Sequence, residues 1–152
     1  REKATIDALL DAIRAGAVRS AHDCSDGGLA VALAECCIAD EDGTIGAEIE
    51  LTKWGALPLR ALLFGEAQAR IVVSTASAPA VLEHARRHGV PALVIGRVRS
   101  PEAGFSIRVG ERVMRTPLEP LVRAFHDAIP SIMNASVAEV AVLEQHPQTS
   151  GA

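Results

Sequence analysis

Val18-Arg19-Ser20-Ala21-His22-Asp23-Cys24-Ser25-Asp26-Gly27-Gly28-Leu29 leads into an Ala-rich apolar run that ends at Ala39. Val18 to Asp23 reads as a short strand, Cys24 to Gly28 as a glycine turn, and Leu29 to Ala39 as a buried helix. A strand that passes through glycines straight into a helix is the unit from which layered α/β chains are built.

The flanking sequence continues the alternation. Upstream, Ile6, Leu9, Leu10 and Ile13 recur at helical spacing between Thr5 and Ala15, and Gly16 is a natural stop. Downstream, Asp40 to Gly43 is a solvated turn. Ile45 to Leu51 alternates like a strand, with Ala47, Ile49 and Leu51 on one face and Glu48 and Glu50 on the other. A short helix over Pro58 to Phe64, a buried strand from Arg70 to Ser74 and a helix from Ala78 to His88 closed by Gly89 follow. Pro91 to Val98 reads as a strand, and Phe105 to Val109 with Val113 to Arg115 as a hairpin about Gly110-Glu111. Thr116-Pro117-Leu118-Glu119 has the capping-box pattern and predicts a helix to about Ile129, with a weak helix beyond Pro130. The order predicts an α/β fold (α+β in some schemes), a layered α/β/α domain with a mixed β-sheet. One domain is expected over residues 1–142, with a flexible tail at 143–152.

The chain has 152 residues, with 15 basic and 19 acidic side chains, and its formal charge of −4 argues against a nucleic-acid binder driven by bulk charge. Aromatics are 3% and Tyr is absent, so the core must be aliphatic. Cys24, Cys36 and Cys37 are odd in number and two are neighbours, which points to free thiols in a reducing, cytoplasmic compartment. No apolar run approaches the roughly 18 residues of a membrane span, and no leader pattern is present. The chain starts at Arg1 and is read as a piece of something longer.

Two stretches could carry chemistry. In the first, Gly27 and Gly28 sit at a strand-to-helix junction, where backbone N–H groups can converge on a phosphate at the positive end of the helix. The structural alternative is that Ser25 or Asp26 caps the helix and the glycines only make the turn. Asp26 would repel a phosphate unless it caps, faces away, or meets the ligand through Mg²⁺ or hydroxyl groups. In the second, Phe64-Gly65-Glu66-Ala67-Gln68-Ala69-Arg70, the residues Glu66, Gln68 and Arg70 alternate and would share one face if the segment is extended. Arg70 suits a carboxylate or phosphate, while Glu66 and Gln68 suit ribose hydroxyls or an arginine; an internal Glu66 to Arg70 ion pair is the alternative. Cys36 and Cys37 read as core filler. A nucleophilic Cys24 with His22, or a Ser25, His22, Asp23 triad, is poorly placed for one reacting atom. His84 and His88 lie one helical turn apart with no third metal ligand evident.

On these motifs, Ala21 to Glu35 and Leu63 to Ser74, the chain resembles the carboxy-terminal domain of the phosphoribosylformylglycinamidine synthase large-subunit family, in the aminoimidazole ribonucleotide (AIR) synthetase superfamily. Gly89-Val90-Pro91 and Ile95-Gly96-Arg97-Val98 extend the resemblance, which covers roughly Ala4 to Met133. The glycine loop alone would fit several superfamily members; the Phe-Gly-Glu-x-Gln-x-Arg strand is the more discriminating. Ala67 departs from the family pattern, which has Ser there.

The resemblance implies an AIR synthetase C-terminal-domain-like fold and a reaction. ATP phosphorylates the amide oxygen of formylglycinamide ribonucleotide, and glutamine-derived ammonia displaces phosphate to form the amidine in purine biosynthesis. It implies ATP and Mg²⁺ held mainly by N-terminal ATP-binding domains absent from this chain, a glutaminase subunit or domain as partner, and an isolated domain that is inactive. By carry-over, Ser25, Asp26, Gly27 and Gly28 would bind the substrate phosphate. His22, Asp23, Glu66, Gln68 and Arg70 would line the cleft or the interface with the ATP-binding domain. Catalytic residues are not assigned, and Asp26 is the one candidate contact to Mg²⁺. The parent architecture has two pseudo-equivalent clefts, of which one can hold a structural nucleotide. The alternatives are a domain of another ATP-dependent superfamily enzyme and a non-catalytic scaffold or interface domain. Added bulk at Gly27 or Gly28 is expected to harm ligand binding more than folding.

Overall fold

In a computed structural model that describes residues 2–40 and 44–133, the helices are α1 (Glu2–Arg14), α2 (Gly28–Ile38), α3 (Leu59–Phe64), α4 (Ala78–Arg87) and α5 (Glu119–His126). The strands are β1 (Ser20–Asp23), β2 (Gly46–Glu50), β3 (Ile71–Ser74), β4 (Gly96–Arg99), β5 (Phe105–Val109) and β6 (Arg112–Thr116). The helices and strands alternate as an α/β fold should, and the expected mixed sheet is present. The strands divide into two sheets: β1 and β3 form an antiparallel pair, and the other four run in the order β4-β2-β5-β6.

The larger sheet follows directly from the alternation in the sequence. β2 pairs antiparallel with β4 and parallel with β5, and β5 pairs antiparallel with β6. Ala47, Ile49, Phe105, Ile107 and Val109 are buried on one face together with Leu51 just past β2, while Glu48, Glu50 and Arg108 alternate to the exposed face. α2 buries Leu29, Ala32, Leu33, Cys37 and Ile38, so the aliphatic core is as the composition requires.

Small residues let α1 and α4 lie against one another: Ala8 and Ala12 of α1 and Ala85 of α4 are buried. Both helices end in the expected glycines. Gly16 and Gly89 have φ of 69° and 65°. The following residues, Ala17 and Val90, donate to Ala12 and Ala85, which closes each helix with a Schellman motif.

Two expected elements are corrected. The strand read over Pro91 to Val98 begins only at Gly96. Leu93 and Val94 are 56% and 60% exposed, because β2 has no backbone left to pair beyond the bond from Glu50 N–H to the Ile95 carbonyl at 2.7 Å. The capping box at Thr116 does not form. Thr116 is the last residue of β6, its hydroxyl donates to the Pro117 carbonyl at 2.9 Å, and the helix starts at Glu119 and breaks after His126, with residues 128–133 helical again as the weak helix beyond Pro130 predicts.

A first unit closes at Leu118 and a second begins at Glu119, within which Arg123 pairs with Glu119 at 3.2 Å. The expected domain end at residue 142 and the tail at 143–152 lie outside the described residues. Among the described residues, no helix is long and apolar enough to cross a membrane.

Candidate functional site

The two sequence motifs meet because β1 and β3 are antiparallel. Asp23, the last residue of β1, pairs with Ile71, the first of β3, so the loop leaving β1 and the loop entering β3 share one end of the ladder. The Cys24 N–H extends the pairing by donating to the Arg70 carbonyl at 2.9 Å. A second contact lies at the glycine pair. Gly28 is buried against the end of α3, where a Cβ would stand 2.8 Å from the Phe64 carbonyl carbon and 3.0 Å from the Leu63 carbonyl oxygen. The glycine loop and the Phe-Gly-Glu-x-Gln-x-Arg segment are therefore one structural unit.

Between these loops and the first turns of α1 lies an open cleft of about 580 Å³. Asp23, Cys24, Ser25 and Asp26 line it on one side and Glu66 to Ile71 on the other. Glu2, Thr5 and Ile6 of α1 complete it. The α1 contribution escaped the sequence reading, because no local pattern distinguishes a helix end that borders a cleft from one that faces water.

The expected site residues separate into those in the cleft and those behind it. Asp23, Ser25, Asp26, Glu66, Gln68 and Arg70 line it; His22, Gly27 and Gly28 do not. His22 turns toward α2, with Nε2 3.1 Å from the Glu35 carboxylate and Nδ1 donating to the Asp23 carbonyl at 2.6 Å. Gly27 and Gly28 have φ of 76° and 71°, and the Gly28 N–H donates to the Ser25 carbonyl at 3.2 Å. Bulk at Gly28, expected to harm binding more than folding, would also collide with the α3 backbone. The capping alternative fails as well, since α2 has no side-chain cap and the Ser25 hydroxyl donates to Asp23 instead.

Glu66, Gln68 and Arg70 share the cleft, yet not through strand alternation. The segment turns at Gln68 and Ala69, and Ala69 has φ of 58°, the one described non-glycine residue in left-handed conformation. No Glu66 to Arg70 ion pair forms among the described residues. Arg70 Nη1 is instead buried without a hydrogen-bond partner, a costly state for a charged donor.

The electrostatics are dominated by carboxylates. Glu2, Asp23, Asp26 and Glu66 face the cleft, and Arg70 is its one guanidinium among the described residues. The Ser25 hydroxyl, followed by a backbone N–H, holds the Asp23 carboxyl below its usual range. Burial pushes the Cys24 thiol up, which disfavours the thiolate a nucleophile requires. Mg²⁺ finds no complete site: among the described residues no three His, Cys, Asp or Glu side chains converge to hold an ion. On α4, His88 Nε2 lies 2.7 Å from Asp11.

Residues 1–109 match the family model described as AIR synthase related protein, C-terminal domain. The chain is 39% identical over 137 residues to the phosphoribosylformylglycinamidine synthase subunit PurL of Chlorobium luteolum, covering 88% of this chain and 18% of that protein. It is 41% identical over 140 residues to the subunit of the same name from Moorella thermoacetica, covering 88% and 18%. Among solved structures it resembles Thermotoga maritima PurL complexed with FGAR, with a TM-score of 0.68 and 26% identity, covering 80% of this chain and 21% of that one. PurL of the same organism complexed with ATP gives 0.67 and 27%, covering 79% and 21%. The chain thus spans about a fifth of the length of the proteins it matches.

Proposed function

This chain belongs to the AIR synthase related protein family as a C-terminal domain, and from that premise we propose that it forms one wall of an ATP-dependent amidine-forming site. The substrate is formylglycinamide ribonucleotide. ATP phosphorylates its amide oxygen, and ammonia from a glutaminase partner displaces the phosphate. ATP is held mainly by domains outside this chain. Mg²⁺ belongs there too, in keeping with the lack of a three-ligand cluster among the described residues. The compartment is cytoplasmic, in keeping with three free cysteines.

The observation that carries this reading is the cleft in which both motifs converge around Arg70, with its buried Nη1 left without a partner. A phosphate or carboxylate oxygen at that nitrogen would satisfy the donor, and the guanidinium would offset part of the repulsion from the surrounding carboxylates. Glu66 and Gln68 suit the hydroxyls of a ribose. Ser25 and Asp26 shape the loop beside it. Gly28 serves this site by packing, bringing α2 against α3. His22 acts from behind, fixing the loop to α2 through Glu35.

An amide-resolved NMR titration tests the assignment. Formylglycinamide ribonucleotide should shift residues 23–27 and 66–71, and Mg-ATP should leave them unmoved. Shifts from Mg-ATP and none from the ribonucleotide would identify the cleft as a nucleotide site. If neither ligand acts, the titration is repeated with the ATP-binding domain restored, and silence there would leave the scaffold reading.

A further inference from the structure

The exposed face of the four-stranded sheet is built from arginines. Arg97 and Arg99 come from β4, Arg108 from β5 and Arg115 from β6, around a shallow cavity of about 340 Å³. Four guanidiniums stand against two carboxylates, Glu48 and Glu50, in a chain whose overall charge is −4. Both carboxylates are already committed. Glu48 accepts from Arg99 at 2.6 and 3.1 Å, and Glu50 accepts from the Thr52 N–H at 2.8 Å with Arg108 at 3.6 Å.

Arg97 and Arg115 are left over. The register places them in one row across the sheet: Arg97 opposite Glu48, Glu48 beside Ser106, and Ser106 opposite Arg115. Neither has an ion-pair or hydrogen-bond partner among the described residues. Both positive charges nevertheless reach Glu48 and help hold its carboxyl below the usual range, after the larger effect of Arg99. The two guanidiniums thus flank the centre of the face, with the Ser106 hydroxyl and the Arg99-paired Glu48 carboxylate between them.

We propose that this face docks an acidic protein segment, whose side-chain carboxylates pair with Arg97 and Arg115 over the Ser106 row. The arginines come from three strands of an open face that also carries the half-exposed Val113. That breadth suits carboxylates presented along a polypeptide, whereas small anions are held in enclosed clefts. Guanidinium is also the side chain best matched to carboxylate, through paired N–H donors. The surface stands apart from the cleft and does not depend on its function.

The test is an NMR titration of the 152-residue chain with a hexaglutamate peptide, with inorganic phosphate in a second arm. Hexaglutamate should shift the Arg97, Ser106 and Arg115 amides, and added salt should weaken the effect. The double variant Arg97→Ala, Arg115→Ala should lose at least about tenfold in affinity. Arg86→Ala, Arg87→Ala, which removes two charges from α4, should not. Equal loss in both double variants, no shifts on the sheet, or equally tight phosphate binding at the same amides would overturn the proposal. Unchanged amide positions elsewhere establish that each variant is folded.

Discussion

The Cys24 N–H and the Arg70 carbonyl are joined by a 2.9 Å hydrogen bond one step beyond the last pair of the β1 and β3 ladder. Two motifs far apart in the chain are thereby locked in register, and the Arg70 side chain leaves the backbone at that lock. The position of the Arg70 guanidinium in the cleft is set by strand pairing, not by loop chance.

Gly28 should prove to be a packing residue. Gly28→Ala combines left-handed backbone with a Cβ against the Phe64 backbone, and it should lower unfolding free energy by about 2–5 kcal/mol. Gly16→Ala has the same backbone demand with nothing within 4 Å, so about 1–2 kcal/mol is expected. Urea midpoints of the two variants measure the difference, and equal midpoints would mean that α2 and α3 separate easily.

Arg70 should trade stability for binding. Arg70→Met removes a buried donor that has no partner, so stability should hold or rise by up to about 1 kcal/mol. Affinity for formylglycinamide ribonucleotide in the complete enzyme should fall about 10- to 100-fold. Calorimetry and a binding isotherm read the two effects separately, and undiminished binding would remove Arg70 from the site.

Ala69 holds a left-handed turn beside Arg70. Ala69→Gly relieves that strain while freeing the unfolded chain, so stability should change by less than about 1 kcal/mol, with a gain the expected sign. Ligand affinity should drop as the turn loosens. A variant both less stable and equally tight in binding would contradict the role assigned to the turn.

Acid should weaken α4 through Glu83. Arg86 and then Arg87 donate to its carboxylate and bring its pKa down from 4.5 to about 2. A depressed folded-state pKa gives stability that is present above 4.5 and lost as pH falls toward 2. Asp11, lowered chiefly by its bond from His88, acts in the same direction between α1 and α4. The stability gap between the wild type and Glu83→Gln should therefore close across that window, as urea melts at pH 5, 4, 3 and 2 would show.

What the sequence made legible was what local chemistry decides. Gly16 and Gly89 marked helix ends because their left-handed geometry is a property of the chain itself, and Glu48 and Glu50 marked an exposed face because alternation has one meaning in a half-buried strand. Leu93 and Val94 misled because an apolar run does not reveal whether a neighbouring strand is long enough to pair with it. Glu66, Gln68 and Arg70 reached one cleft by a turn at Ala69, where alanine gives no sign of left-handed backbone. His22 looked like a cleft residue until Glu35, which lies on another element, claimed it. The place of Glu2 and Thr5 in the cleft is a tertiary fact with no local signature.

The pairing pattern also sets an order of assembly. Ser20 and Ser74, whose hydroxyls lie 2.6 Å apart, are 54 positions apart in the chain, and Glu48 and Arg99 are 51 apart. Among the described strands only the β5 and β6 hairpin closes locally, about Gly110. A chain emerging from the ribosome therefore carries its glycine loop for many residues before β3 arrives to complete the cleft, while β2 waits a similar length for β4 and longer for β5. Such non-local closure slows folding and leaves strand edges open to other chains. Synthesis paused between β2 and β4 would leave the Ala47, Ile49 and Leu51 face without the strands that later pair beside it.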